Sequence, residues 1–369
     1  GRDQLANWLH GKASDGTVGW VSRPYLSLRT SLNIQALPVL AGQAPSSAGS
    51  GGQGNSRPVT VSGRLAGGFE LGGQVQGLNP TTIADMQHAG MHWIKRQLYY
   101  GDGAGSGWIG EAHNLGFKIL LSVVGNPPDV LQNGYFDLYA NFVGSLAAGG
   151  ADGLEIWNEA NIDREWPTGH VDAAMYTQLL AKSYNAIKSK NANTMVISGA
   201  PSPTGYWGAG GKSANGWNDD VFYAGMAAAG AGSYADCIGI HYNEGIVSPL
   251  QTSGGWIAYP TNYFDTMLRR AMQYFPGKRG CFTELGYLTS EGYGALPGGF
   301  SWAKDVTVKE QATWLAQAAV RASASGRVRL MVVWNVNATY YGADPQAGYA
   351  MIRGDGSCPA CDTLHNLSH

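Results

Sequence analysis

Charge is scarce in this chain. Asp, Glu, Lys and Arg together make up 14% of its 369 residues and almost cancel, leaving a formal net charge of -2. A nucleic-acid-binding face needs a basic stripe and a membrane-surface anchor needs a polybasic run, so neither partner is expected. No apolar run reaches the ~20 residues of a membrane-crossing helix, and no span is expected. There is no His-Glu-x-x-His and no Cys/His grouping of zinc-site spacing, so no metal or other cofactor is expected. Gly208 to Ser213 ends like a phosphate-binding loop, but Tyr206 stands where that pattern demands Gly. Cysteine is equally sparse, with four in all. Cys358 and Cys361 flank Pro359-Ala360, and a small disulfide in the C-terminal tail is expected; Cys237 and Cys281 begin neighbouring strands and could bridge or simply pack. Disulfide chemistry and the lack of a leader segment point to a mature secreted or cell-surface protein.

What the chain has in excess is glycine and large aromatics: 54 Gly, 12 Trp and 19 Tyr, within a hydrophobic content of 44%. Many tight turns are implied, together with flat apolar faces of the kind that stack on sugar rings. The length suits a barrel domain of ~250 residues plus an appendage. Three parts are expected: residues 1–30, a linker over 31–58, and a catalytic domain over 59–369. In the first, Trp8 to Lys12 and Asp15 to Leu26 alternate apolar and polar residues about the Asp15-Gly16 turn, a β-hairpin signal. This segment resembles the closing half of a bacterial SH3 domain. About 28 residues is too few to fold alone, so a truncated module is expected, with a cell-wall or surface tether as the function the resemblance implies. Ala41 to Arg57 is Gly/Ser-rich linker, and ~16 flexible residues span roughly 20–24 Å.

From residue 59 onward, short apolar runs alternate with helical patterns. Strands are expected at 69–75, 92–99, 117–124, 153–157, 195–199, 237–242, 279–286 and 328–334, with a helix between each pair and Asn79-Pro80 opening the first. Eight such units, with no hairpin pattern among them, read as an α/β fold, a closed (β/α)8 barrel.

One stretch organises this domain. Leu154-Glu155-Ile156-Trp157-Asn158-Glu159-Ala160-Asn161 turns from buried strand to acidic and amide-rich loop within two residues. A carboxylate at the C-terminal end of a barrel strand faces the shared pocket. Glu155, on the same strand, is expected on the same face. Proton donation to a glycosidic oxygen needs a neutral carboxyl, which an apolar neighbour such as Trp157 would favour.

Trp157-Asn158-Glu159-Ala160-Asn161 resembles the Trp-Asn-Glu-Pro-Asn motif of clan A glycoside hydrolases, families 5 and 39 among them, with Ala160 where Pro is usual. The resemblance covers about 300 residues and implies a retaining β-glycosidase in which Glu159 is the acid/base and Asn158 binds the sugar 2-hydroxyl. Arg279-Gly280-Cys281-Phe282-Thr283-Glu284-Leu285-Gly286 is similar to the clan's strand-seven segment, which implies Glu284 as nucleophile. The same resemblance implies that Arg96, rather than Lys95, holds the nucleophile ionised, that Tyr242 hydrogen-bonds it while His241 borders the sugar, and that Trp334 is a sugar platform. Tyr206, Trp207, Trp217, Trp256, Tyr287, Tyr340 and Tyr341 lie after strands and would line a cleft for a polysaccharide or oligosaccharide. Asp163-Arg164-Glu165-Trp166 would contact a leaving-group sugar or form a surface ion pair. The competing expectation is a non-catalytic carbohydrate-binding or structural surface protein on the same barrel.

Overall fold

A computed structural model describes residues 61, 63–205, 207–252 and 259–367, with the backbone of 8–12 and 18–22. The chain divides into two compact units, one of residues 1–57 and 253–258, the other of 58–252 and 259–369. In the first, Trp8–Lys12 pairs antiparallel with Val18–Ser22, Trp8 opposite Ser22, as the alternation about Asp15-Gly16 predicts. The SH3 resemblance, the linker, Tyr206 and Trp256 rest on residues outside those described.

The second unit is a closed barrel of eight strands. They are β1 Glu70–Gln74, β2 Trp93–Tyr99, β3 Lys118–Val124, β4 Gly153–Ile156, β5 Met195–Ser198, β6 Cys237–Tyr242, β7 Arg279–Leu285 and β8 Val328–Val333. All neighbours run parallel and β8 closes on β1. Between them lie α1 Pro80–His88, α2 Ala104–Asn114, α3 Tyr135–Ala148, α4 Ala173–Lys190, α5 Asp219–Ala228, α6 Phe264–Met272 and α7 Val308–Ala324; α8, Pro359–His365, follows β8. This is the (β/α)8 architecture the alternation predicts, with every strand and helix within a few residues of its expected place. Local chemistry explains the ends: the Asn79 side chain caps α1 by accepting from Thr82 N at 2.9 Å, and Thr307 with Glu310 forms a capping box on α7.

Two cores result from strand alternation. Inside the barrel, Trp93, Leu120, Met195, Ile197, Cys237, Cys281, Leu330 and Val332 form one buried cluster. Trp93 fills the barrel because β4 offers Gly153 beside it, where any Cβ would stand 3.2 Å from the indole. Outside, Ile94, Leu98, Ile119, Leu121, Leu154, Ile238, Ile240 and Phe282 pack against the helices. Both disulfides form. Cys237–Cys281 joins the first residues of β6 and β7 within the barrel (Cα–Cα 5.8 Å), and Cys358–Cys361 closes the start of α8. Among the described residues, no helix is long and apolar enough to cross a membrane.

Candidate active site

At the C-terminal mouth of the barrel, strand ends from β2, β4, β6 and β7 bring five ionisable groups together. His241, the last inward residue of β6, is fully buried. Its Nδ1 lies 3.0 Å from Glu159 Oε1 and 3.7 Å from Glu284 Oε2. Those two oxygens are therefore at most 6.7 Å apart, the 3.0 and 3.7 Å legs laid end to end. The two carboxylates, 125 positions apart by subtraction of 159 from 284, meet across one imidazole.

Each carboxylate reaches the mouth by a break in regular strand geometry. Beyond β4, Trp157 and Glu159 both take left-handed backbone, with φ of 68° and 46°. Such conformations cost a non-glycine residue about 1–3 kcal/mol and persist only where neighbours over-determine them. Here Glu159 N donates to Ala200 O at 2.9 Å, and the Asn161 amide is tied to Ser202 and to Trp217 O. On β7, Phe282 and Leu285 both pack outward although three residues apart, which strict alternation forbids. The ladder shifts register between them and again at His241 of β6. This irregularity turns Glu284 inward, opposite His241.

Lys95, 1% exposed, lies beneath Glu284. Its Nζ donates to Glu284 Oε1 and to Thr283 O, each at 3.1 Å, and stands 3.2 Å from Glu155 Oε2. Asn243 Nδ2 donates to Glu284 Oε2 at 3.0 Å. Burial by itself would raise the Glu284 carboxyl, but His241, Lys95 and the Asn243 hydrogen bond outweigh it and hold Glu284 below its usual range. Burial would likewise depress Lys95 and His241; the facing carboxylates, Glu155 and Glu284 for the one and Glu284 and Glu159 for the other, raise both above their ordinary values. Glu244, half-buried after β6, is pushed up to about 7 by desolvation and by repulsion from Asp219 and Glu159, against a hydrogen bond from Thr261.

Two expectations are corrected by strand parity, and a third by the left-handed turn beyond β4. Arg96 does not enter the barrel: it shares the outward face of β2 with Ile94 and Leu98, its guanidinium 4.9 Å over the Trp108 ring and Nη2 3.2 Å from Glu111, both on α2. Turning Arg96 inward would pull Ile94 and Leu98 out of the helix-facing core, at roughly 1.5–3 kcal/mol each. Lys95 takes the place beside Glu284 instead. Tyr242 also faces outward, hydrogen-bonding Asn262 O at 2.9 Å and meeting Phe264 and Tyr287 edge-on. The contact expected of Tyr242 belongs to Asn243, which shares the parity of His241. Trp157 packs between Tyr139 and Trp166 and donates its Nε1 to Glu165 O at 2.6 Å, on the helix side of the strand end. The groups that meet Glu159 are polar: His241, and Arg164 at 2.8 Å from Oε2.

The remaining expected residues divide. Asn158 is 8% exposed and its side-chain amide makes no hydrogen bond among the described residues. Trp334 is half-buried at the end of β8, packed against the buried cluster of Leu288, Ala303, Val306 and Tyr349. Tyr287 is core, packed on Tyr242 and Trp314. Tyr341 stacks on Tyr293 at 4.9 Å, and Tyr340 is 56% exposed. Trp217 lies under Lys212 Nζ at 3.7 Å, in a short hairpin formed by the Gly-Gly-Lys-Ser stretch. A cavity of about 360 Å³ at the other end of the barrel, lined by Arg64, Phe69, His92 and Leu367 among others, contains no carboxylate. Among the described residues, no three or more His, Cys, Asp and Glu side chains are placed so that they could hold a metal ion.

No protein-family model matches the chain, and no curated protein does. Solved structures do. An endo-1,4-beta-mannanase from Rhizomucor miehei aligns at 12% identity over 84% of this chain and 98% of its own, with a TM-score of 0.52. A GH53 catalytic domain from Ignisphaera aggregans aligns at 15% identity over 83% and 92%, with a TM-score of 0.56. A glucosidase from Croceicoccus marinus aligns at 12% identity over 84% and 68%, with a TM-score of 0.54. At these identities the likeness is one of fold.

Proposed function

We propose that the protein is a retaining glycoside hydrolase that cleaves β-glycosidic bonds of a polysaccharide or oligosaccharide by double displacement. The observation that carries this reading is the approach of Glu159 and Glu284 to one imidazole, which caps their nearest oxygens at 6.7 Å. A retaining pair stands about 5–5.5 Å apart and an inverting pair about 6.5–9.5 Å, so the cap favours retention. The solved glycosidases that share the barrel agree with the reaction class.

Glu284 is the nucleophile in this scheme. Lys95, His241 and Asn243 surround it with positive charge and a donor, which keeps it ionised and aims it. It attacks the anomeric carbon while Glu159 passes a proton to the departing oxygen; the C–O bond breaks as the Glu284 ester forms. Glu159, then ionised, takes a proton from water, whose oxygen displaces Glu284 and releases the sugar with its configuration kept. His241 holds Glu159 through Nδ1. Arg164, 72% exposed, pairs with the same carboxylate as long as that is ionised, and the leaving-group sugar must displace this arm to reach Glu159. Asn158 and Trp334 are the sugar-binding candidates. Two disulfides suit an oxidising, extracellular setting, and a surface tether through the N-terminal segment belongs to the same proposal.

The test is Glu159→Gln assayed on a glycan panel and on aryl β-glycosides. Hydrolysis of poor leaving groups should fall about 10²–10⁴-fold, activated aryl glycosides should be spared, and azide should restore turnover as a glycosyl azide. Equal loss on both substrates without rescue would reject Glu159 as acid/base; a wild-type protein that hydrolyses nothing in the panel would favour a carbohydrate-binding barrel.

A further inference from the structure

Glu155 takes no part in the reaction proposed above, yet it is the deepest carboxylate of the group, with no exposed surface. Its two oxygens face two cations: Lys95 Nζ lies 3.2 Å from Oε2 and His241 Nε2 lies 3.9 Å from Oε1. Neither oxygen has a hydrogen-bond partner of good geometry, so its dealings with the protein are chiefly electrostatic. On their other sides the same two cations face the working pair, Lys95 on Glu284 and His241 on both Glu284 and Glu159. Glu155 thus touches, from below, both groups that hold the reacting carboxylates.

Following charge through the cycle gives this arrangement a purpose. Before attack, Glu159 carries its proton, and the anions Glu155 and Glu284 face the cations Lys95 and His241. In the covalent adduct Glu284 is a neutral ester and Glu159 has released its proton to the leaving oxygen, so the anions are Glu155 and Glu159, facing the same two cations. The buried group is neutral at both stages. Without Glu155 it carries one surplus positive charge at both, and the imidazole, the weaker base, is the group that gives up a proton.

We infer that Glu155 is a positioning residue, a fixed buried counter-charge that keeps Lys95 and His241 cationic together, so that His241 holds Glu159 and Glu284 in register throughout the cycle. This rests on the roles proposed for those two residues, although the charge balance itself can be measured without turnover. The charged groups around His241 are Glu155 from β4, Glu284 from β7 and Lys95 from β2, with Glu159, Arg164 and Glu165 on the loop after β4 and Glu244 after β6.

The experiment uses the full chain as wild type, Glu155→Gln, Glu155→Asp and the double variant Lys95→Met/Glu155→Gln. The His241 imidazole is titrated by NMR in ¹⁵N-histidine-labelled protein, assigned with His241→Asn, and kcat/KM is profiled against pH on a nitrophenyl β-glycoside that the wild type hydrolyses. In Glu155→Gln, His241 should lose its proton about one pH unit or more lower than in wild type, and the alkaline limb of kcat/KM should move down with it. Glu155→Asp should titrate near wild type. The double variant, which removes one charge of each sign, should return the His241 titration toward wild type even if Glu155→Gln alone does not fold. Unchanged His241 titration in Glu155→Gln, or a double variant that fails to restore it, overturns the inference. Absence of wild-type hydrolysis would instead strike the proposed reaction and leave the titration readable.

Discussion

Asn243 and Lys95 are the residues on which Glu284 depends most directly. Each lies one position from the residue that the family resemblance implies in its place, Tyr242 and Arg96 respectively. The signal was present in strand parity: Asn243 is two residues beyond inward-facing His241, and Ile94 and Leu98 flank Arg96 on the helix-facing side. Replacing Asn243 by Ala removes a hydrogen bond to the ionised carboxylate, so the acidic limb of kcat/KM should move to higher pH while the protein keeps its fold. Replacing Lys95 by Met leaves Glu155 and Glu284 buried without their shared cation. That change should abolish most activity and lower stability by about 3–5 kcal/mol in urea titration. Replacing Arg96 by Ala removes the pairing of a buried guanidinium with half-exposed Glu111 and its contact with Trp108, and should cost about 1–3 kcal/mol with kcat/KM essentially unchanged. Loss of activity in that variant would reinstate Arg96 at the site.

At the scale of elements, the site hangs on how β6 and β7 lie against each other. His241 and Glu284 face across this pair, and Cys237–Cys281 joins the starts of the same two strands. Gly239, between Cys237 and His241, has no room for a side chain, since a Cβ would fall 2.1 Å from Ser198 O. The bridge closes a separation of 44 residues, against 3 for Cys358–Cys361. On the chain-entropy account the longer loop contributes about 4 kcal/mol and the shorter about 2. The double replacement of Cys237 and Cys281 by Ser should therefore lower Tm more than that of Cys358 and Cys361, measured without reductant. The opposite order would show that packing in the barrel interior, not loop closure, dominates at Cys237 and Cys281.

For the whole molecule, the buried charges set a pH window. Glu284 is held below its ordinary value of 4.5, so its stabilisation is complete above that pH and is lost as pH falls through its folded value. His241 is held above its ordinary 6.5, so its contribution is complete below pH 6.5 and is lost as pH rises through its folded value. Glu244, raised from 4.5 to about 7, adds a penalty that grows between those values as the unfolded chain ionises first. Urea midpoints should thus be highest between pH 4.5 and 6.5, toward the lower end, and decline through neutrality. A midpoint that rises from pH 5 to 8 would contradict the charges assigned to His241. The sequence by itself determined the order and kind of the barrel elements, because the period of apolar residues and the capping chemistry of Asn79 and Thr307 act within a few positions of the chain. It also determined that two acidic strand ends, at Glu159 and Glu284, fall in repeating units whose C-terminal ends share one mouth. Only the tertiary structure decided which side of β2 faces inward, where β7 slips its register to admit Glu284, and that Glu155 lies beneath both cations. Those choices follow from packing against neighbouring strands and helices far along the chain, and a one-residue change of phase, invisible to local pattern, exchanges every inward side chain for an outward one.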